Sequence, residues 1–317
     1  MRVTHGIPAA GGTPVALTIG NFDGVHLGHQ AMLARLATAA RERGVEPCVL
    51  TFEPHPREFF APDQAPTRLT SLREKLELLA AYGVARAHVC RFDFDFARNT
   101  AEDFVRRILV RGLAARWIMV GDDFRFGARR AGDIALLRAM SGEGGYAVEA
   151  MPTVGVGGER VSSTAVREAL AAGDLAHAAQ LLGRRYTISG RVTGGDRLGR
   201  VLGFPTANVQ MRHNRPPLAG VFAVEVHGLG PQALPGAASL GVRPTVAREP
   251  RPTLEVHLLD FDRTIYGEHV RVEFLHKLRD EEKYADVDTL RRQIALDVAN
   301  VRRFFAERAG APQAHHG

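Results

Sequence analysis

The chain has 317 residues, 45% hydrophobic and 24% charged, which is enough for two domains with a core of ordinary globular composition. No apolar run is long enough to span a membrane, and the start MRVTHGIPAAGGTP lacks the apolar core of an export signal. The two cysteines, Cys48 and Cys90, show neither metal spacing nor a disulfide framework, so the reading is a cytoplasmic protein that does not enter a membrane. The net charge of +6 and pI near 9.8 admit a nucleic-acid partner, but the arginines are dispersed in pairs such as Arg106-Arg107 and Arg129-Arg130. Phosphorylated small molecules account for that excess equally well.

Val15, Ala16, Leu17 and Ile19 form the short apolar run of a buried strand. It stops at Gly20-Asn21-Phe22-Asp23-Gly24, a turn-rich segment where backbone can lie close to a ligand. His26 and His29 follow at i and i+3, one face of the first turn of a helix expected over about Leu27 to Arg43, with Gly28 between them keeping that surface low. Free N–H groups and the positive end of the helix dipole favour anions there, so the stretch describes a polyphosphate site. The chemistry that needs it is attack on the α-phosphate of a nucleotide, where positioned donors stabilise the charge that develops. Two histidines after a core strand are commonly plain surface residues. His-x-Gly-His directly behind such a strand and turn is far more specific, and it resembles the signature of the nucleotidyltransferase superfamily, which implies a Rossmann-like sheet.

Strand and helix patterns alternate as far as Leu182. Strands are expected at Pro47–Phe52, Ala87–Phe92, Arg116–Val120 and Tyr146–Met151, with helices opening at Ser71, capped at Thr100 and covering Asp133–Met140. Such alternation means a parallel sheet whose ligands sit beyond the carboxyl ends of the strands. Three further stretches belong to that edge. Thr51-Phe52-Glu53-Pro54-His55-Pro56 is either a rigid turn or a turn that leaves His55 at the ligand. Gly121-Asp122-Asp123-Phe124-Arg125-Phe126-Gly127 offers phenylalanines for a flat ring and Arg125 for a phosphate. Ser162, Ser163 and Thr164 open a helix, as capping hydroxyls do in any protein, and with Arg167 on the first turns they also make a phosphate clamp.

After the helices Ser163–Ala172 and Asp174–Leu182, Gly183-Arg184-Arg185 reads as a junction. Short alternating runs then recur at Tyr186–Val192, Val221–Val226, Ala237–Val242, Leu254–Leu259 and Val270–Leu275, separated by Gly/Pro-rich turns, which argues for an antiparallel barrel or sandwich. A helix from about Val287 to Glu307 closes the pattern, and the tail APQAHHG reads as disordered. Within this half, Gly194 to Asn208 carries the chemistry. Its glycines, among them Gly199 and Gly203, make a mobile flap, and Thr206 and Asn208 fall on one face of an extended segment. A hydroxyl and an amide carbonyl are suitable hard-oxygen ligands for Mg²⁺. Phosphorylation of an alcohol also needs a proton acceptor near the metal. Glu255, among apolar residues in a strand, is either that base or a solvent-facing glutamate.

GNFDGVHLGH, TFEPHP, GDDFRFG, SSTAVR, LGFPTAN, GVRPT, EVHLLDF and YGEHVRVEFLHKLRDEEKY occur here in this order, and nearly the whole chain resembles the prokaryotic bifunctional riboflavin kinase/FMN adenylyltransferase (FAD synthetase) family. The resemblance implies an N-terminal Rossmann-like nucleotidyltransferase domain, residues 1–183, and a C-terminal antiparallel β-barrel with a C-terminal helix, residues 184–317. It implies riboflavin plus ATP giving FMN, then FMN plus ATP giving FAD and pyrophosphate, with Mg²⁺ and without nucleic acid. By position, Gly20, Phe22, His26, Gly28, His29, Ser162, Ser163, Thr164 and Arg167 would handle ATP in the adenylyltransferase half. His55, Asp123, Phe124, Phe126 and Arg279 would lie by the flavin. Gly199, Gly203, Thr206 and Asn208 would hold Mg·ATP in the kinase half, with Glu255 as base. Gly194 stands where many relatives have histidine, and Phe222 where tyrosine is common. No P-loop motif is present, nor the Lys-Met-Ser-Lys-Ser loop of synthetases that share the His-x-Gly-His signature.

Overall fold

The computed structural model describes residues 1–194, 199, 202–212, 215–243 and 251–310. Much of the glycine-rich flap (195–198, 200 and 201), the end of the GVRPT stretch and the tail at 311–317 lie outside the described residues. The chain groups into two compact units, one of residues 1–66 and 70–163, the other of residues 67–69 and 164–317.

The first unit is built on a six-stranded parallel sheet: β1 (Arg2–His5), β2 (Val15–Ile19), β3 (Glu46–Glu53), β4 (Arg86–Arg91), β5 (Ala115–Gly121) and β6 (Ala147–Met151), in the order β1-β4-β3-β2-β5-β6. A two-stranded hairpin of β7 (Gly155–Val156) and β8 (Glu159–Arg160) follows. The apolar run at Val15–Ile19 becomes the central strand because both of its faces are covered. Val15, Leu17 and Ile19 join the cluster of Phe104, Ile108 and Leu109, while Ala16 joins that of Leu33, Leu36 and Leu79. The chain leaves β2 for β3 and β4 on one side and returns to β5 and β6 on the other. That reversal makes the carboxyl ends of β2 and β5, which lead into the Gly20–Gly24 and Gly121–Gly127 loops, the topological switch point where open α/β sheets bind ligands.

Helices begin where the sequence carries caps. α1 (Leu27–Arg43) ends at Gly44 in the left-handed conformation, φ 62°, which only glycine adopts without strain. In α3 (Leu72–Ala81) the Ser71/Glu74 capping box forms as read, and Thr100, Asp133 and Asp174 each cap a helix through a side-chain oxygen. Several short elements are additional to the sequence reading. β1 is a short edge strand recruited by parallel pairing with β4, the hairpin β7–β8 has two-residue strands, and α2 (Pro56–Phe60) starts inside the TFEPHP stretch. All are too short for periodicity to register.

The second unit is a closed six-stranded antiparallel barrel of β9 (Thr187–Thr193), β10 (Ala207–Gln210), β11 (Gly220–His227), β12 (Leu234–Arg243), β13 (Arg251–Leu258) and β14 (His269–Arg279), in the order β10-β13-β12-β11-β14-β9. Inward positions such as Ile188, Val209, Val224, Leu240, Leu254, Val256 and Phe274 are at most 4% exposed. The helix Val287–Gly310 lays Ile294, Val298, Val301 and Phe305 against Ala223, Ala237 and Leu259, an outer cluster on the barrel. Arg279 forms a bidentate pair with Asp297, buried in that helix, at 2.9 and 2.7 Å. Closure removes the free sheet edges that an open sandwich would expose.

Candidate active sites

In the first unit, His26 is the residue that caps α1 rather than part of its first turn. With extended backbone (φ −70°, ψ 172°) its Nδ1 accepts from the His29 backbone N–H at 3.3 Å. The cap folds its ring over that of His29, with centroids 3.7 Å apart and planes at 18°. Gly28 makes room for this: a Cβ there would stand 3.2 Å from the His26 ring. The low surface expected at Gly28 is thus filled by His26 itself. Phe22 lies beneath, 1% exposed, its ring 4.9 Å from His29. A Cβ on Gly20 would press on the Phe22 ring at 3.2 Å.

The loop that carries these residues is strained and then fastened. Phe22 and Val25 take φ of 49° and 40°, a region that costs a non-glycine residue about 1–3 kcal/mol. Asp23 Oδ1 accepts from the Thr70 N–H at 3.0 Å and from Thr70 Oγ1 at 3.1 Å, while Thr70 Oγ1 accepts from the Gly24 N–H at 3.1 Å. Ser163 Oγ donates to the Asp23 carbonyl at 2.9 Å, so the SSTAVR stretch meets the GNFDG loop at a hydrogen bond. Ser162 precedes it, half-buried. Thr164 and Arg167 belong to the second unit, where Arg167 Nε donates to the Thr67 carbonyl.

Burial pushes the His29 pKa well below 6.5, and the neighbouring His26 and Lys75 add to the effect, so its ring is neutral at pH 7. Among the described residues, His29 Nδ1 and Asn21 Oδ1 are buried and unpartnered. Buried polar atoms are nearly always satisfied, so an unpaired ring nitrogen and amide oxygen in this loop fit a ligand that supplies the missing partner. Lys75, 5% exposed on α3, and Asp23 as a fastener are absent from the sequence reading. The signal for Lys75 was available: it falls three residues after Leu72 and four before Leu79, on the apolar side of the helix.

Along the same edge of the sheet, His55 caps α2, its Nδ1 accepting from the Arg57 N–H at 3.1 Å, with Glu58 returning the bond. Asp123 is exposed and accepts from Arg160 at 2.7 Å. Phe124 and the buried Phe126 stack at 5.5 Å. They end a chain of ring contacts that runs back through Phe104, Phe96, Phe52 and Phe92 to Phe59. There Phe60 and Phe94 are 65% and 69% exposed. Each of these two rings packs edge-on against Phe59 and leaves its outer side in water. An open cavity of about 420 Å³ lies at the ends of β1, β3 and β4, lined by residues such as His5, Glu53 and Arg91 and not by His26 or His29.

In the second unit, Asn208 on β10 pairs directly with Glu255 on β13, so both side chains stand on the outer face of the barrel. Leu254 and Val256, on either side of Glu255, are 1% exposed and point inward. Two residues along the same face, His257 donates to the Pro205 carbonyl at 2.9 Å and its ring meets Phe204 edge-on at 5.7 Å. Thr206 is thereby held between Pro205 and β10. Phe204 N–H donates to the Gly199 carbonyl at 2.7 Å, and a Cβ on Gly199 would strike the Phe204 carbonyl and the Thr206 side chain. Gly203 has φ 88°. The barrel therefore brings Thr206, Asn208 and Glu255 together, whereas Arg279 directs its donors to Asp297 and to the Asp280 carbonyl, with its guanidinium 5.9 Å from the Tyr284 ring.

Comparison with known proteins matches the same two halves. The FAD synthetase family model covers residues 10–165 and the riboflavin kinase model residues 182–305. A bifunctional riboflavin kinase/FMN adenylyltransferase of Escherichia coli (strain K12) is 50% identical over 305 residues, 96% of this chain and 97% of that one. One from Pseudomonas fluorescens is 49% identical over 298 residues, 94% of each. A crystal structure from Streptococcus pneumoniae, described as a macrolide-efflux protein, superposes with a TM-score of 0.80 at 28% identity, over 95% of this chain and 99% of that one. No helix among the described residues is long and apolar enough to cross a membrane. With half its residues shared with relatives over nearly its full length, the chain belongs to the family of bifunctional riboflavin kinase/FMN adenylyltransferases.

Proposed function

We propose that residues 1–183 transfer the adenylyl group and residues 184–317 phosphorylate riboflavin. The protein makes FMN from riboflavin and ATP, then FAD and pyrophosphate from FMN and ATP. The observation that carries the assignment of roles is the pairing of Asn208 with Glu255 beside Thr206, a carboxylate next to two hard oxygens on the outer face of the barrel. The other unit has paired imidazoles at a helix start.

In the kinase half, Glu255 takes the proton of the ribityl 5′-hydroxyl as that oxygen attacks the γ-phosphorus of ATP, and ADP leaves. Thr206 and Asn208 offer a hydroxyl and an amide oxygen, donors that suit Mg²⁺, and would hold it with the nucleotide's phosphates. When bound, Mg²⁺ would neutralise charge on the transferring phosphoryl group. The turn at Gly199 and Gly203 lets backbone N–H groups approach those phosphates.

In the adenylyltransferase half, the FMN phosphate is already ionised at pH 7, so no base is needed, and alignment with charge stabilisation is enough. His26, neutral His29 and the N–H groups at the start of α1, around Gly28, face the phosphates of ATP, with Phe22 and Gly20 supporting His29 from below. Ser162 and Ser163 add hydroxyls. For Thr164 and Arg167 the assignment to ATP rests on the SSTAVR motif. The isoalloxazine ring lies along the phenylalanine ledge that includes Phe124 and Phe126, near Asp123 and His55. Arg279 borders the flavin of the kinase half through the segment it anchors. An enzyme supplied by ATP at both steps works in the cytoplasm.

The test is a chromatogram of riboflavin incubated with Mg²⁺, ATP and the pure protein. FMN followed by FAD is expected, and an unchanged riboflavin peak overturns the reading.

A further inference from the structure

Glu255 on β13 has a partner on each side: Asn208 on β10 and Ser239 on β12. Paired residues of antiparallel strands face the same way, about 4.5–5.5 Å apart, so the three form a row across the barrel's outer face. Gly241, two residues beyond Ser239, continues that face along β12. Onto this end of the row comes Glu281, from the segment after β14. Ser239 Oγ donates to Glu281 Oε1 at 3.0 Å, and the carboxylate occupies the space that a Cβ on Gly241 would fill. A side chain at 241 would have to displace the end of Glu281, and the backbone there is not left-handed. The segment is anchored just upstream, where Arg279 grips Asp297 and donates to the Asp280 carbonyl, and Lys277 pairs with the Asp280 carboxylate at 2.6 Å.

We infer that Glu281 is a specificity-determining residue of the kinase reaction, set beside the base to distinguish neutral riboflavin from its anionic product FMN. The inference rests on the roles proposed above for Thr206, Asn208 and Glu255. With those roles the row has a direction: nucleotide at the Asn208 end, proton acceptor in the middle, ribityl chain toward Ser239, Gly241 and Glu281. Before transfer, Glu281 faces a polyol, whose hydroxyls donate to a carboxylate. In the reaction the O–H bond of the 5′-hydroxyl breaks and its proton passes to Glu255. The oxygen bonds to the γ-phosphorus, and the bond between that phosphorus and the ADP oxygen breaks. The same oxygen now carries a phosphate of charge about −1.5 to −2 at pH 7, with a second carboxylate one strand beyond the base. Arg279 and Lys277, the cations at the end of β14, are already engaged by Asp297 and Asp280. Repulsion thus acts on product and spares substrate, which is discrimination by an unfavourable contact.

The test uses the full-length protein and follows ADP, which only the kinase step releases, as FMN is added to riboflavin and Mg·ATP. Glu281 is exposed, so its substitution spares the core. In Glu281→Gln, FMN should inhibit about tenfold more strongly than in the wild type, the scale of one nearby like-charge contact. The KM for riboflavin should change much less. Glu281→Asp, which keeps the charge, should stay near the wild type. Equal inhibition of wild type and Glu281→Gln overturns the inference, as does a riboflavin KM that falls in step with the FMN inhibition constant. Failure of the underlying reading is separately visible: it is shown by Glu255→Gln releasing ADP at the wild-type rate, whatever FMN does.

Discussion

The two units meet opposite demands with different architecture. The parallel sheet ends its central strand at a helix start with stacked imidazoles, where by the function proposed above an anion that needs no deprotonation would bind. The barrel lines up side chains laterally, which is how antiparallel pairing sets a carboxylate beside a hydroxyl and an amide. A helix terminus stabilises charge that is already present, whereas a strand row can hold a base next to a group that must be ionised. On this reading, each reaction sits on the architecture able to supply what its acceptor lacks.

The most severe way to break the comparison is Glu255→Gln. It should slow ADP release from riboflavin and ATP by about 10²–10⁴-fold while leaving pyrophosphate release from supplied FMN and ATP unchanged. Loss of both activities in a folded variant would mean that the halves are not independent in their chemistry. Next in size is Arg279→Ala, which leaves the buried Asp297 carboxylate without its bidentate partner. It should destabilise the barrel unit by about 3–5 kcal/mol in urea unfolding, with the sheet unit's transition unmoved. A variant as stable as the wild type would show that the pair is replaceable by solvent.

His29→Ala sharpens the other side. FAD formation from FMN should lose about 2.7–4 kcal/mol of transition-state stabilisation, read as pyrophosphate release, while FMN formation stays near normal. The smallest effect is that of pH on stability. Burial holds the native His29 pKa well below the 6.5 of a free imidazole, so below that pH the unfolded chain binds a proton that the native ring refuses. Stability is unaffected above about pH 6.5 and declines beneath it, by at most about 1.4 kcal/mol per pH unit for one such group. Between pH 7 and pH 5.5 the thermal midpoint of the wild type should therefore fall further than that of His29→Gln. His88, lowered likewise by burial, contributes to both proteins and cancels. Parallel curves would show that His29 titrates normally.

Much was legible in the sequence because it is written in local spacing. The apolar run at Val15–Ile19, the Ser71/Glu74 box, the caps at Thr100 and Asp133 and the change of rhythm after Leu182 each depend on residues a few positions apart, and each fixes an element. The ordered motifs likewise sufficed for the family. The tertiary structure alone decided what those elements bring together. Phe22 reads as a residue beside a ligand and is sealed under His29, because the loop's positive φ angles turn its ring inward. Edge strand β1 exists because β4 offers it a free side, and the phenylalanine ledge because separate stretches converge at one sheet edge. Glu255 acquires Asn208 and Ser239 as neighbours, and Glu281 reaches Gly241, only through barrel register. Spacing reports the period of a segment; lateral register and burial arise from contacts between distant segments, which no local pattern encodes.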